Sequence, residues 1–412
     1  MRSSKVFYGW WIVLGAAIML GILGPAAVAV ANVYQAPVVE EFGITNSQFA
    51  ISNSIVLGMG IFFSPFVSKR LAEGNFKRNY IIGLLIYALG YMGYGFAPNI
   101  LVFYLLSILV GYGFLSTTIL PVTLLINNWF IQKRGLAISL ALSGLGVGGV
   151  VFSQLVTFFI VQVGWRYTYM LYGALMLVVI VPILVFLIKL RPEDSGLQPY
   201  GNEFFVQPEE GDEEQMERVT LTFSESIKKP FFILLILGAV LVGISNNAGL
   251  GQFPPVLTNL HGPTVAATII SVYSAVGIIG KLVLGHMNDM QGIVKSTVYA
   301  SSMLALSYFF MLFSDNVSIT FLMAIVFGMG NAIGTVMPPL ITSAIYSTDQ
   351  YSSAYGYVNS GLQLGMTVGS LFAAGIADLT GSYNISWIII TLLSLLTGIS
   401  WVGAYKNSKK YR

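Results

Sequence analysis

Residues 191–228 read RPEDSGLQPYGNEFFVQPEEGDEEQMERVTLTFSESIK, the one long polar stretch in a chain of 412 residues. Its acidic, weakly apolar composition cannot bury a core, so a flexible, solvated connector is expected. A plain connector is preferred to a regulatory tail. On either side, apolar runs of about 20 residues follow one another, the length a helix needs to cross a bilayer. Six precede the connector, at 9–36, 47–68, 78–98, 99–127, 135–162 and 166–190. Six follow it, at 229–258, 265–288, 293–314, 316–345, 351–378 and 382–405. The expected organisation is an N-terminal six-helix bundle over 1–190, the connector 191–228 and a C-terminal six-helix bundle over 229–412.

Composition supports the same reading. The chain is 56% hydrophobic and 9% charged, against roughly 25% charge in soluble proteins, so its main solvent is the lipid bilayer. A transmembrane barrel would alternate over segments of about ten residues, and no such alternation occurs. The first run begins after Arg2 and Lys5 and contains Ala27-Val28-Ala29, but it is too long for a signal peptide's core and eleven more follow, so an uncleaved helix is expected. The absence of cysteine excludes disulfides, Cys-ligated zinc and iron–sulfur clusters. Only His261 and His286 remain for metal or acid–base chemistry, so no cofactor is expected.

Lys and Arg set orientation. With both termini cytoplasmic, 18 of the 20 basic residues fall inside, leaving Arg166 outside and Lys281 within a span. The basic residues are scattered across loops, which argues against a nucleic-acid partner. The expected setting is the cell membrane, as a multi-pass protein working as a monomer.

Three motifs stand out. WFIQKRGLA at 129–137 carries Lys133 and Arg134 and is followed by SGLGVGG at 143–149, whose Gly144 and Gly148 form a small-xxx-small pair suited to close helix packing. GHMNDMQGIVK at 285–295 places Gly285, Asp289, Gly292 and Lys295 between the eighth and ninth spans, a charge cluster that can break and reform. The corresponding first-half stretch, SPFVSKRLAEGNFKR at 64–78, keeps the basic residues but has Ser68 where an acid is expected. Gly135 and Gly144 are nine apart, as are Gly356 and Gly365, a weak sign of two related halves. GIIGKL at 277–282 is not a phosphate-binding loop, because Ala275 and Leu282 stand where Gly and Ser or Thr are required. Any transport is therefore expected to be secondary.

These features together resemble the major facilitator superfamily. WFIQKRGLA, its following glycines and RPEDSGLQPYG resemble, more narrowly, the monocarboxylate porter and oxalate–formate antiporter group. The resemblance implies an all-α integral membrane protein with twelve transmembrane helices in two pseudo-symmetric six-helix bundles. It also implies a transporter rather than an enzyme, and the spans offer no nucleophile–base pair to suggest catalysis.

Lys281 is the leading candidate for substrate binding. Asp289 lies 289 − 281 = 8 residues on, which puts Lys281 about 12 Å inside the span at ~1.5 Å per residue. A charge at a helix centre costs roughly 2.5–3.5 kcal/mol, and an opposite charge about 4 Å away returns around 4 kcal/mol at an effective dielectric of ~20. The spans contain no Asp or Glu at comparable depth, so a small organic anion is the expected counter-charge, in preference to a lysine snorkelling to the headgroups. The subgroup places a basic residue, usually Arg, at this position, where it meets the substrate carboxylate. Lysine supplies a point charge instead of a fork, and its charge state responds to burial, which makes a proton the expected companion of the anion.

The resemblance also breaks. Oxalate–formate antiporters carry a second basic residue in the eleventh span, whereas 351–378 has none and Gln363 lies near that place. One charge suits a monocarboxylate such as lactate or formate. The aromatic residue often found in the fourth span is missing near Thr118 and Ile119. Asn331, Asn247 and Tyr34 complete the expected substrate set with Lys281 and Gln363; Asn32, Gln35, Asn246, Gln252 and Asn359 are further polar residues at depth. Asp289, Lys295, Lys133 and Arg134, with Gly285 and Gly292, are the expected gating residues. Pro25, Pro121, Pro254, Pro255, Pro338 and Pro339 are expected to bend their spans. Two other readings compete: a drug or hydrophobic-compound exporter, which would favour a membrane-embedded acid, and a carboxylate sensor signalling through the acidic connector.

Overall fold

The computed structural model describes residues 7–28, 30–202, 219 and 221–411. The acidic centre of the connector, 203–218, lies outside the described residues, as do Arg2, Lys5, Ala29 and Arg412. The chain divides into two units, Met1–Val206 and Gln207–Arg412. The first holds α1 (Tyr8–Ala27), a 3-10 turn (Ala31–Tyr34), α2 (Gln35–Phe42), α3 (Asn46–Glu73), α4 (Phe76–Tyr94), α5 (Ile100–Thr117), α6 (Ile119–Trp129) and α7 (Arg134–Pro182). The second holds α8 (Phe223–Ser226), α9 (Pro230–His261), α10 (Pro263–Met311), α11 (Val317–Asn331), α12 (Ile333–Ile345), α13 (Thr348–Thr380) and α14 (Tyr383–Ser408).

Among the described residues, nine stretches are long and apolar enough to cross a membrane. Two of them, in α7 and α10, break at Gly164 (φ 83°) and Gly292 (φ 81°). Each therefore holds two of the expected spans, and α4 completes twelve. Positive φ at these junctions favours glycine, which carries no Cβ to strain the backbone. The motif at 285–295 is thus not an open loop: it is helical on both sides of a single non-helical residue. The outer surface suits lipid, with Phe62, Val161, Phe186 and Leu379 each more than 75% exposed. Serine and threonine turn inward, and many bond the carbonyl one helical turn back, as Ser64 does to Gly60 and Thr342 to Pro338.

The two units repeat one close packing. In the first, a Cβ on Gly144 would overlap the Ala17 carbonyl and one on Gly148 the Gly21 carbonyl, so α7 lies directly on the backbone of α1. In the second, a Cβ on Gly365 would overlap the Val240 carbonyl and one on Gly369 the Ile244 carbonyl, so α13 lies on α9 in the same way. Gly144 and Gly365, linked in the sequence only by their spacing from Gly135 and Gly356, do the same work.

The connector differs from its expected form at both ends. Tyr200 donates its N–H to the Trp129 carbonyl (2.8 Å) and accepts from Ile131 and Gln132 at 3.0 and 3.1 Å. Its ring packs against Phe7, Trp10 and Phe130. At the far end, Val219 N–H donates to the Ile345 carbonyl (3.1 Å) and α8 packs Phe223 against Phe232, Tyr346 and Tyr357. Aromatic burial and backbone bonds fix these ends despite the polar composition between them.

Gly148→Ala and Gly365→Ala should each lower the thermal unfolding midpoint of the detergent-solubilised protein, since overpacking costs about 1–3 kcal/mol. Gly375→Ala in the same α13, where a Cβ meets nothing within 4 Å, should leave the midpoint in place.

Candidate functional site

Helix breaks inside each unit free backbone carbonyls, and nearby side chains bond them. In the first unit, Pro121 has no N–H to give the Thr117 carbonyl. Tyr80 supplies the donor instead, its hydroxyl 2.6 Å from that oxygen, and the chain turns at Thr118 (φ −104°, ψ −121°). α1 ends two residues beyond Pro25, and three tyrosines donate to its last carbonyls: Tyr172 to Ile22 (2.8 Å), Tyr87 to Leu23 (2.8 Å) and Tyr91 to Ala26 (3.3 Å). Tyr34 lies just past this break, fully buried, its ring stacked on Tyr169 at 3.7 Å. Pro254 and Pro255, in contrast, sit within the continuous α9.

In the second unit, α11 and α12 meet at Ala332. Thr335 N–H bonds the Ala332 carbonyl (3.2 Å) in 3-10 fashion, so it is withdrawn from the Asn331 carbonyl that a regular helix would give it. Asn246 replaces it, with Nδ2 donating to Asn331 O at 3.2 Å. Gly334 makes the approach possible, because a Cβ there would overlap the Asn246 amide.

Lys281 is half-buried in α10, 292 − 281 = 11 residues before the Gly292 break. The preceding Gly280 packs on α11: a Cβ would lie 2.7 Å from the Gly328 carbonyl and 2.9 Å from the Met329 Cα. Lys281 and Asn331 therefore lie at one level on neighbouring helices. Gln363 sits on α13 beside its crossing with α9, one turn from Met366.

The adjacent asparagines of α9 have different tasks. Asn247 Nδ2 donates to the Met366 carbonyl and ties α9 to α13. Asn246, which the sequence offered only as one polar residue among several, faces the break instead. Asn246 Oδ1, Asn331 Oδ1 and Gln363 Oε1 are buried and have no protein partner. Of the expected substrate residues in this unit, Lys281 and Asn331 lie on the neighbouring helices α10 and α11, while Asn247 and Gln363 lie on the packed pair α9 and α13; Tyr34 lies in the first unit.

The gating candidates lie at helix ends. Gly285 is buried, while Asp289 and Lys295 are exposed on either side of Gly292. Lys133 adopts a left-handed conformation (φ 55°) at the start of α7, its ammonium 5.7 Å from the Tyr200 ring centre. Arg134 Nε donates to the Phe130 carbonyl (2.8 Å), capping the end of α6. In the first-half counterpart, Asn79 Nδ2 donates to the Arg70 carbonyl (2.7 Å). Arg166 pairs with Glu41 at 2.9 Å and donates to the carbonyls of Gly95 and Ala97 (3.0 and 2.8 Å), joining three helix junctions.

A membrane-spanning helical protein with broken helices and a cation at mid-span has the build of a solute transporter. The model of the Major Facilitator Superfamily matches residues 9–342 and 235–412, and the chain belongs to that superfamily, whose members are transporters and not enzymes. It is similar to monocarboxylate transporter 14 of Mus musculus, 23% identical over 94% of this chain and 88% of that protein. Monocarboxylate transporter 4 of Gallus gallus is 24% identical over 93% and 79%. Among solved structures, the proton:xylose symporter XylE superposes with a TM-score of 0.75 over 95% of this chain and 94% of that one. At 13% identity, that likeness carries the fold alone.

Asn247→Leu should lower the thermal midpoint without ligand, because the Met366 carbonyl loses a buried donor worth about 1–3 kcal/mol. If the midpoint stays within a degree of wild type, the tether adds nothing to stability.

Proposed function

We propose that this transporter moves a small monocarboxylate, lactate- or formate-like, by alternating access, with a proton as its companion. The observation that carries the proposal is Lys281, a cation held in the middle of a spanning helix. A charge at such a position costs roughly 2.5–3.5 kcal/mol, and a cation there suits an anionic ligand such as a carboxylate. The names of the monocarboxylate transporter relatives support the anion class. Gln363, where a second basic residue would serve a dianion, supports one carboxylate over two.

In this reading Lys281 binds the carboxylate and Asn331 and Gln363 line its surroundings. Asp289, Lys295, Lys133 and Arg134, with the glycines at 285 and 292, form the gate. Both termini face the cytoplasm, the site of function is the cell membrane and the working unit is the monomer.

Purified protein in liposomes should take up labelled monocarboxylate, faster when the lumen is made alkaline. Lys281→Ala should reduce uptake at least about tenfold and abolish the thermal shift caused by monocarboxylates, while Lys281→Arg should retain a shift. Equal responses of wild type and Lys281→Ala would sink the anion assignment. Indifference to the proton gradient would remove the proton alone.

A further inference from the structure

We infer that the two ends of the connector are staples, each fixing the half-helix beyond a break to the helix that follows it, so that the half-helix turns at its break and not at its far end. Each staple lies within a single unit and is independent of what Lys281 binds.

α6 and α12 hold corresponding places. Each starts at a break, at Thr118 and at Ala332, and each is followed by a helix resting directly on a neighbouring backbone, α7 on α1 and α13 on α9. The last residues of the two half-helices are Trp129 and Ile345. Terminal carbonyls of a helix have no donor within it. In both units the connector supplies one to the last residue, from Tyr200 N–H to Trp129 (2.8 Å) and from Val219 N–H to Ile345 (3.1 Å).

Each end also grips the far side of the junction. The Tyr200 carbonyl accepts from Ile131 and Gln132 (3.0 and 3.1 Å), and the ammonium of Lys133, which opens α7, lies 5.7 Å from its ring centre. Trp129 Nε1 and Asn128 Nδ2 donate to the carbonyls of Lys189 and Leu190 (2.8 and 3.3 Å), so residues 189–200 close over the end of α6. In the second unit, Gln350 in the first turn of α13 donates to the Leu221 carbonyl (3.0 Å). The Ser226 and Tyr346 hydroxyls are 2.9 Å apart, and the Phe223 ring centre lies 5.5 Å from that of Tyr357 in α13.

A segment that only joined two units would not need matched contacts at both ends. A half-helix tied at its far end to a helix that cannot slip has one free joint, the break. The boundary between the units, Val206 to Gln207, falls between the staples, so neither depends on the chain that links them. Tyr200 and Phe223 are the positioning residues, acting through their rings.

Hydrogen–deuterium exchange of the reconstituted protein reads each staple without any substrate. Tyr200→Ala should speed exchange at least about fivefold over 124–134 and leave 340–350 at the wild-type rate, and Phe223→Ala should do the reverse. Tyr200→Phe, which keeps the ring, should exchange like wild type. In L-lactate uptake, Tyr200→Ala should lower the maximal rate at least about threefold with KM changed less than about twofold. Cutting at a protease site inserted within 207–217 should leave uptake in place. Unaltered exchange over 124–134 in Tyr200→Ala, or a rise spread evenly through the chain, overturns the staple, as does loss of uptake on cutting. Absence of lactate uptake by wild type overturns the monocarboxylate reading alone, and exchange still decides the staple.

Discussion

A backbone carbonyl that loses its helical partner inside a bilayer has no water to turn to, and the cost is several kcal/mol for each such group. That constraint organises both units. At three of the interruptions a side chain from another helix supplies a donor. Tyr80 reaches Thr117, three tyrosines reach the end of α1, and Asn246 reaches Asn331. The donors make the breaks tolerable. In the second unit, the residue that makes the break tolerable also keeps a buried amide oxygen with no protein partner.

The two stretches that carry the subgroup resemblance are one structural element. Trp129 Nε1 donates to the Lys189 carbonyl (2.8 Å), Asn128 Nδ2 to the Leu190 carbonyl (3.3 Å), and Tyr200 bonds the backbone on both sides of Phe130. WFIQKRGLA and RPEDSGLQPYG are far apart in the chain but pack face to face at one end of the first unit. Their joint presence follows from that packing.

The spans were legible in the sequence because lipid imposes long apolar runs, and Lys281 was legible because charge inside them is scarce. The helix breaks were less so. Pro121 marks a carbonyl that loses its donor, but the donor that replaces it is 37 positions away, and at the α11–α12 break, where no proline stands four residues after Asn331, the replacement donor is 85 positions away. Pro254 and Pro255 carry the same local signal within a continuous helix. The different tasks of Asn246 and Asn247 were also hidden, since neighbouring residues on a helix differ by about 100° in direction and only the packing of α9 decides which faces the α11–α12 break. The docked ends of the connector escaped for a similar reason: Tyr200 is an ordinary residue of a polar stretch until Trp129 and Phe130 lie beneath it.

The glycine contacts between α1 and α7, and between α9 and α13, have a mechanical consequence. Where an α-carbon rests directly on a facing carbonyl, there is no side chain whose rotamer can absorb a relative slip. Each pair therefore behaves as a strut with no slack, and shape change within a unit is left to the helices that are interrupted part-way. In the second unit that places the compliance at the α11–α12 junction, where Asn246 holds the Asn331 carbonyl.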